Sequence, residues 1–336
     1  MVYFRDVRES LLFAYDDNLI NDEEFLLLFD LNSSKNLDYP YWKYQPFDLN
    51  LLSDDECRTY FRFYRDDVYL LNKKLHIPEE ITCYNGSVFS GLEAFCALLK
   101  RFAYLCRYAD MVPIFGRPVP ELSLMSNYMV DFLYNTYGTL LHTFNQPWLA
   151  PQQLEIFAAA ISNKGAPLDH CWGFIDGTVR PVCRPGGNQR VLYNGHKRVH
   201  AIKFQSIVPP NGMIENLYGP VEGRRHDSGM LAMSGLLQQL QLHSRSPNGN
   251  PLCVYGDPAY PLRVQLQGPF KGNLNQHQKD YNKAMSQVRT SVEWVFGDIS
   301  KYFAFIDFKK NLKIQLSAVG KMYITCALLA NACINL

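Results

Sequence analysis

Gly173-Phe174-Ile175-Asp176-Gly177-Thr178 sits inside an apolar, β-rich run spanning 171–182, and the acid in its middle decides how the chain is read. The run has the composition of a strand. Apolar strands seldom hold an acid without a partner, because an unpaired buried carboxylate is costly. The bland alternative is a turn residue ahead of Gly177. A second acid repeats the setting: Asp257, in Val254-Tyr255-Gly256-Asp257-Pro258-Ala259-Tyr260-Pro261, ends another short apolar run. Its bland alternative is an Asp-Pro turn. A third, Glu293, in Ser291-Val292-Glu293-Trp294-Val295-Phe296-Gly297, follows after 35 intervening residues and lies in a helical pattern. It could simply pair with Arg289 one turn earlier, whereas its apolar flanks Val292, Trp294, Val295 and Phe296 predict a buried setting.

Outward from these acids, strands are expected at 171–182, 199–209, 213–220 and 252–255. Helices are expected at 228–242, capped by Asp227 or Ser228, at 281–296, and at 316–331. The region before them reads differently. Ser53-Asp54-Asp55-Glu56 has the form of a capping box, opening one or two helices over 57–75. Helical spacing returns at 87–107, 111–115, 121–144 and 151–162, and 163–167 reads as a linker. The expected organisation is therefore a helical domain over 1–165, with a helix-turn-helix-sized trio at 90–144 as a candidate DNA reader, and an α/β domain over 166–336.

Charge divides along the same line. Residues 1–169 carry 14 Lys/Arg against 23 Asp/Glu, a net −9, while residues 170–336 carry 19 against 9, a net +10. A basic half suggests contact with a polyanion, although opposite halves could also attract each other. The nine cysteines form no CxxC pair and no zinc spacing, so they read as reduced, buried thiols. The charged stretch 1–10 lacks the apolar core of a leader, and no apolar run reaches the length of a membrane span. A soluble, intracellular chain is expected.

Strand Asp, strand Asp and helix Glu is an order suited to two Mg²⁺ ions: hard oxygen ligands clamp the attacking and leaving oxygens of an in-line phosphodiester displacement. Asp227 is the rival third ligand, with helix capping as its sufficient structural role. Arg180, Arg184, Arg190, Lys197, Arg198, Lys203, Arg224 and Arg225, with His196, bracket the first three strands and are the candidate phosphate contacts. A solvated basic face is the bland reading of any one of them. Arg184-Pro185-Gly186-Gly187 lacks the Gly-Lys-Ser/Thr of a P-loop, and His196 and His200 lack the glutamate of an HExxH zinc pair. A glycosidase would use two of the acids and leave the third and the basic cluster unexplained.

Three strands, a helix, a strand and a helix is the ribonuclease-H-like order, a mixed sheet with helices on its faces. With the acids in place, residues 170–331 resemble the DDE superfamily of endonucleases, specifically Harbinger-type (PIF/Harbinger) transposases and nucleases derived from them. Gly173 to Thr178, Gly256 to Pro261, Arg289 with Val292-Glu293 and Phe296-Gly297, and Arg224-Arg225-His226-Asp227-Ser228 carry the resemblance. Ala259 stands where such enzymes often have Gly, and Trp294 where a basic residue is common. The resemblance implies an Mg²⁺-dependent DNA endonuclease, with Mn²⁺ as a substitute, two ions held by Asp176, Asp257 and Glu293, and strand transfer by the freed 3′-hydroxyl. It further implies action in the nucleus and a Myb-like DNA-binding partner; a homo-oligomer is a separate expectation for the chain. The alternative is a domesticated, catalytically silent DNA- or protein-binding factor that keeps the fold.

Overall fold

The computed structural model describes residues 4–32 and 39–336, apart from the side chains at 4–6, 8 and 291–293. The chain forms two compact units, Met1–Lys43 and Tyr44–Leu336. In the smaller, the helices Phe4–Asp16 and Asp22–Leu31 meet at a turn fixed by a reciprocal Asn21–Glu24 capping box. The Tyr15 ring lies 4.7 Å from that of Phe25, and its hydroxyl donates to Asp22.

The larger unit starts with helices. The stretch 57–75 resolves into Asp54–Phe61 and Arg65–Lys74, because Arg62 takes a left-handed φ of 69° and closes the first. A hairpin of β1 (Glu80–Thr82) and β2 (Val88–Ser90) leads into the trio Gly91–Ala103, Tyr108–Phe115 and Val119–Tyr137. The first of these is buried along almost its whole length, as befits a core element. The third contains no Lys or Arg and packs on the last helix, Val319–Asn335, where Lys321 pairs with Asp131. The helix Pro151–Asn163 precedes the sheet, so the segment 163–167, where helices give way to strands, falls inside the larger unit.

Six strands follow: β3 (Cys171–Pro181), β4 (Tyr193–Asn194), β5 (Val199–Val208), β6 (Asn216–Glu222), β7 (Cys253–Tyr255) and β8 (Leu266–Gln267). The strand β3 is central. It pairs antiparallel with β5 and parallel with β7, which pairs parallel with β8, while β4 and β6 both line the outer edge of β5. The result is a mixed α/β fold with a mixed sheet, consistent with a ribonuclease-H-like domain. Burial on both faces explains the nearly continuous apolar reading of β3 and β5. One face packs Trp172, Ile175, Val254 and Leu266 against Leu154 and Phe157 of Pro151–Asn163 and Leu231, Leu236 and Leu240 of the β6–β7 connection. On the other, Gln276–Tyr302 and Val319–Asn335 lie against the sheet, with the Phe204 and Tyr323 rings 4.4 Å apart.

Two expectations change in detail. The single helix at 228–242 is two, Asp227–Met233 and Leu236–His243, broken at Gly235 with its φ of 64°. The helix expected at 281–296 runs Gln276–Tyr302, opened by an Asn275–Gln278 capping box.

Candidate active site

The parallel register aligns Phe174 with Tyr255. Two residues further along stand Asp176, midway along β3, and Asp257, just past the end of β7. Strands in such a pair lie about 4.8 Å apart, and residues two apart share a face, so the register brings the two acids together. Asp176 is mostly buried. Its Oδ1 accepts the Gly177 amide at 2.8 Å and lies 3.0 Å from Nη2 of Arg289. Asp257 is half-buried, and its Oδ1 accepts the Ala259 amide at 2.9 Å. The Asp-Pro turn is therefore real, and it engages one carboxylate oxygen.

Two glycines make the assembly possible. A Cβ on Gly177 would lie 2.7 Å from Oδ1 of Asp227, and one on Gly256 would lie 2.7 Å from the Tyr260 ring and 2.8 Å from Ile175. Asp227 thus packs directly over the residue that follows Asp176. It does not cap its helix; His226 occupies the N-cap position, and no side chain makes the cap bond. Asp227 instead binds Lys203, whose Nζ lies 2.6 Å from its Oδ1 and donates to the Arg225 carbonyl at 2.9 Å.

Tyr260 joins these groups. Its ring belongs to the sheet core, and its buried hydroxyl has no hydrogen bond among the described residues. Burial pushes the phenol well above its usual range, with Asp227, Asp176 and Asp257 adding to the rise and Arg289 opposing it. Asp176, Asp227 and Asp257 therefore lie within electrostatic reach of one buried hydroxyl, with Arg289 as the opposing cation. The helix Gln276–Tyr302 supplies Arg289 one turn before position 293, and the side chain of Glu293 itself lies outside the described residues. Trp294 is exposed, not buried as its apolar neighbours led one to expect, while Phe296 is buried. Oxygen-only donors in excess over nearby cations suit a hard divalent ion. Among the described residues, no three His, Cys, Asp or Glu side chains already form a metal-binding group.

The basic residues divide. Arg184, Arg190, Lys197, Arg198 and Arg224 are exposed. Arg225 is half-exposed and pairs with Glu222. Two expected phosphate contacts are corrected. Arg180 is buried, its guanidinium engaged by Ser300, Asp307 and the Phe296 carbonyl above the Tyr323 ring. Lys203 is likewise buried against Asp227. Strand alternation sends both inward, where a cation is held by internal partners. Sequence reading missed Tyr260 and the role of Arg289 as the counter-ion of Asp176. The Gly256 spacing was the only local signal for the former.

Residues 175–331 match the family model described as DDE superfamily endonuclease. That segment contains Asp176, Asp227, Asp257 and Glu293, and the match supports the superfamily. No curated protein and no solved structure matches the chain.

Proposed function

We propose that the chain is a metal-dependent DNA endonuclease of Harbinger type, cleaving phosphodiester bonds with two divalent ions. The observation that carries this reading is the parallel register that juxtaposes Asp176 and Asp257 inside the matched segment. Asp176, Asp257 and Glu293 would hold the ions, with Asp227 as an additional oxygen donor. Bound Mg²⁺ or Mn²⁺ supplies Lewis acidity to the attacking and leaving oxygens of an in-line displacement.

The chain's own groups prepare that site. Arg289 pairs with Asp176 and holds it in place. Lys203 neutralises Asp227 and fixes its position at Gly177. The buried Tyr260 hydroxyl is a donor within electrostatic reach of the three aspartates. The exposed cations Arg184, Arg190, Lys197, Arg198 and Arg224 would hold the DNA backbone. The helical trio contributes less, since its third helix has no cation to offer phosphate. Strand transfer, nuclear action, a Myb-like DNA-binding partner and a homo-oligomer belong to the same proposal.

Nicking of supercoiled plasmid with Mg²⁺ or Mn²⁺ tests it. Wild type should nick, and Asp257→Asn should fold and bind DNA but not cut. Near wild-type nicking by the variant would sink the assignment. The second reading, a catalytically silent DNA- or protein-binding factor, is favoured by the Arg289 guanidinium lying on Asp176. DNA binding without metal-dependent cutting by wild type would select it.

A further inference from the structure

Beyond the end of β3, the chain builds a basic cleft that contains none of the carboxylates. Val182, Cys183, Arg184, Arg198, Val199, His200, Lys309 and Lys310 line a cleft of about 270 Å³. Its cations come from three separate segments. The segment just after β3 brings Arg184, and the β4–β5 turn brings Arg198, held at a left-handed φ of 56°. The loop after Gln276–Tyr302 brings Lys309 and Lys310. Backbone bonds lock the three together: Val182 donates to the His200 carbonyl and Cys183 to the Leu312 carbonyl, each at 2.9 Å.

No acid lines the cleft, and among the described residues none pairs with Arg198, Lys309 or Lys310. Four exposed cations held together without counter-ions repel one another, an arrangement that an external polyanion stabilises. The cleft also has a fixed distance from the acids. Six residues of extended chain separate Asp176 from Val182, about 20 Å at the rise of a strand. Duplex DNA covers that span in roughly six base pairs.

We infer that this cleft grips backbone phosphates of duplex DNA about six base pairs away from the bond at the carboxylate site. The inference rests on the DNA-directed reading of the chain but not on its catalytic activity. Lys309 and Lys310, separated from the other cations by more than a hundred residues, belong to this grip. It reads duplex length, not base sequence, because its groups meet only phosphate.

The test is binding to nicked duplexes, in EDTA so that no cleavage intervenes, with flanks of about four or about twelve base pairs beyond the nick. Wild type should bind the long-flank duplex more tightly. Lys309→Ala/Lys310→Ala, two exposed changes that leave the core intact, should weaken long-flank binding by roughly tenfold and lower the salt slope by about 2. The same variant should bind the short-flank duplex as wild type does. Equal flank dependence in both proteins would overturn the inference, as would no binding to either duplex. Displacement of the duplex by a polyglutamate peptide of equal charge would assign the cleft to an acidic protein and equally overturn it. Absence of metal-dependent nicking by wild type, with flank-dependent binding intact, would instead count against the endonuclease reading alone.

Discussion

Nη2 of Arg289 lies 3.0 Å from Oδ1 of Asp176, so a helix cation occupies the carboxylate that a metal-dependent site would need. The pair is more than four-fifths buried on both sides. Its second function follows from its neighbours: Asp176, Asp227 and Asp257 all act electrostatically on Tyr260, and Arg289 opposes them. A divalent ion at Asp176 would compete with the guanidinium.

Arg289→Ala should therefore cost about 2 kcal/mol in the absence of divalent ions, an amount reduced from a fully buried pair by the remaining solvent access. Millimolar Mg²⁺ should restore much of that loss, and should raise the urea midpoint of the variant more than that of wild type. Equal stabilisation of both proteins by Mg²⁺ would show that the ion and Arg289 do not share Asp176.

Gly177 and Asp227 form the second coupled pair. A methyl group at 177 meets Oδ1 of Asp227 at 2.7 Å, which is too close, and moving Asp227 strains its bond to buried Lys203. Gly177→Ala should destabilise by about 1–3 kcal/mol. Asp227→Ala alone should also destabilise, because Lys203 is left buried without its partner. Together the two should cost less than their sum, with a coupling of about 1 kcal/mol in denaturant titrations. Additive losses would mean that the glycine is needed for another reason.

Much of this frame is legible in the residues. Apolar runs around Asp176 and Asp257 mark strands because both faces of β3 and β7 are buried, and a capping residue such as Ser53 marks a helix start through bonds that need only local geometry. What was not legible is non-local. The strands β4 and β8 have two residues each, too few to show alternation, and exist because β5 and β7 offer them an edge. Nothing around Arg289 points to Asp176, more than a hundred residues earlier. Local reading pairs it with Glu293 instead. Arg180 and Lys203 carry the same charge as Arg198, and only the packing distinguishes an internal cation from a surface one.

That distinction is measurable. Arg180→Ala removes three hydrogen bonds and the contact with Tyr323 from a buried position, and should cost about 3 kcal/mol. DNA affinity of the folded fraction should stay unchanged. Arg198→Ala should leave the denaturation curve within about 0.5 kcal/mol of wild type and lower the salt slope of DNA binding by about 1. The reverse pattern, a DNA defect from Arg180 and a folding defect from Arg198, would invert the assignment of these two side chains.

Glu215 gives a pH signature far from the candidate active site. It is buried, with Oε2 accepting the Trp148 indole N–H at 2.7 Å and Oε1 lacking a hydrogen bond. Burial raises its carboxyl above the ordinary range, while Trp148 and Asn211 partly oppose the rise. A group with a raised folded-state pKa stabilises fully below its unfolded value, about 4.3, and loses that contribution as pH rises through the folded value. Above its folded-state value, wild type therefore holds the Glu215 charge in a place that disfavours it. Glu215→Gln keeps an acceptor for Trp148 and carries no charge. Its urea midpoint should exceed that of wild type at pH 7, and the gap should close as pH falls toward 4. A gap independent of pH would mean that Glu215 remains in one protonation state across the range, and that packing, not charge, sets the difference.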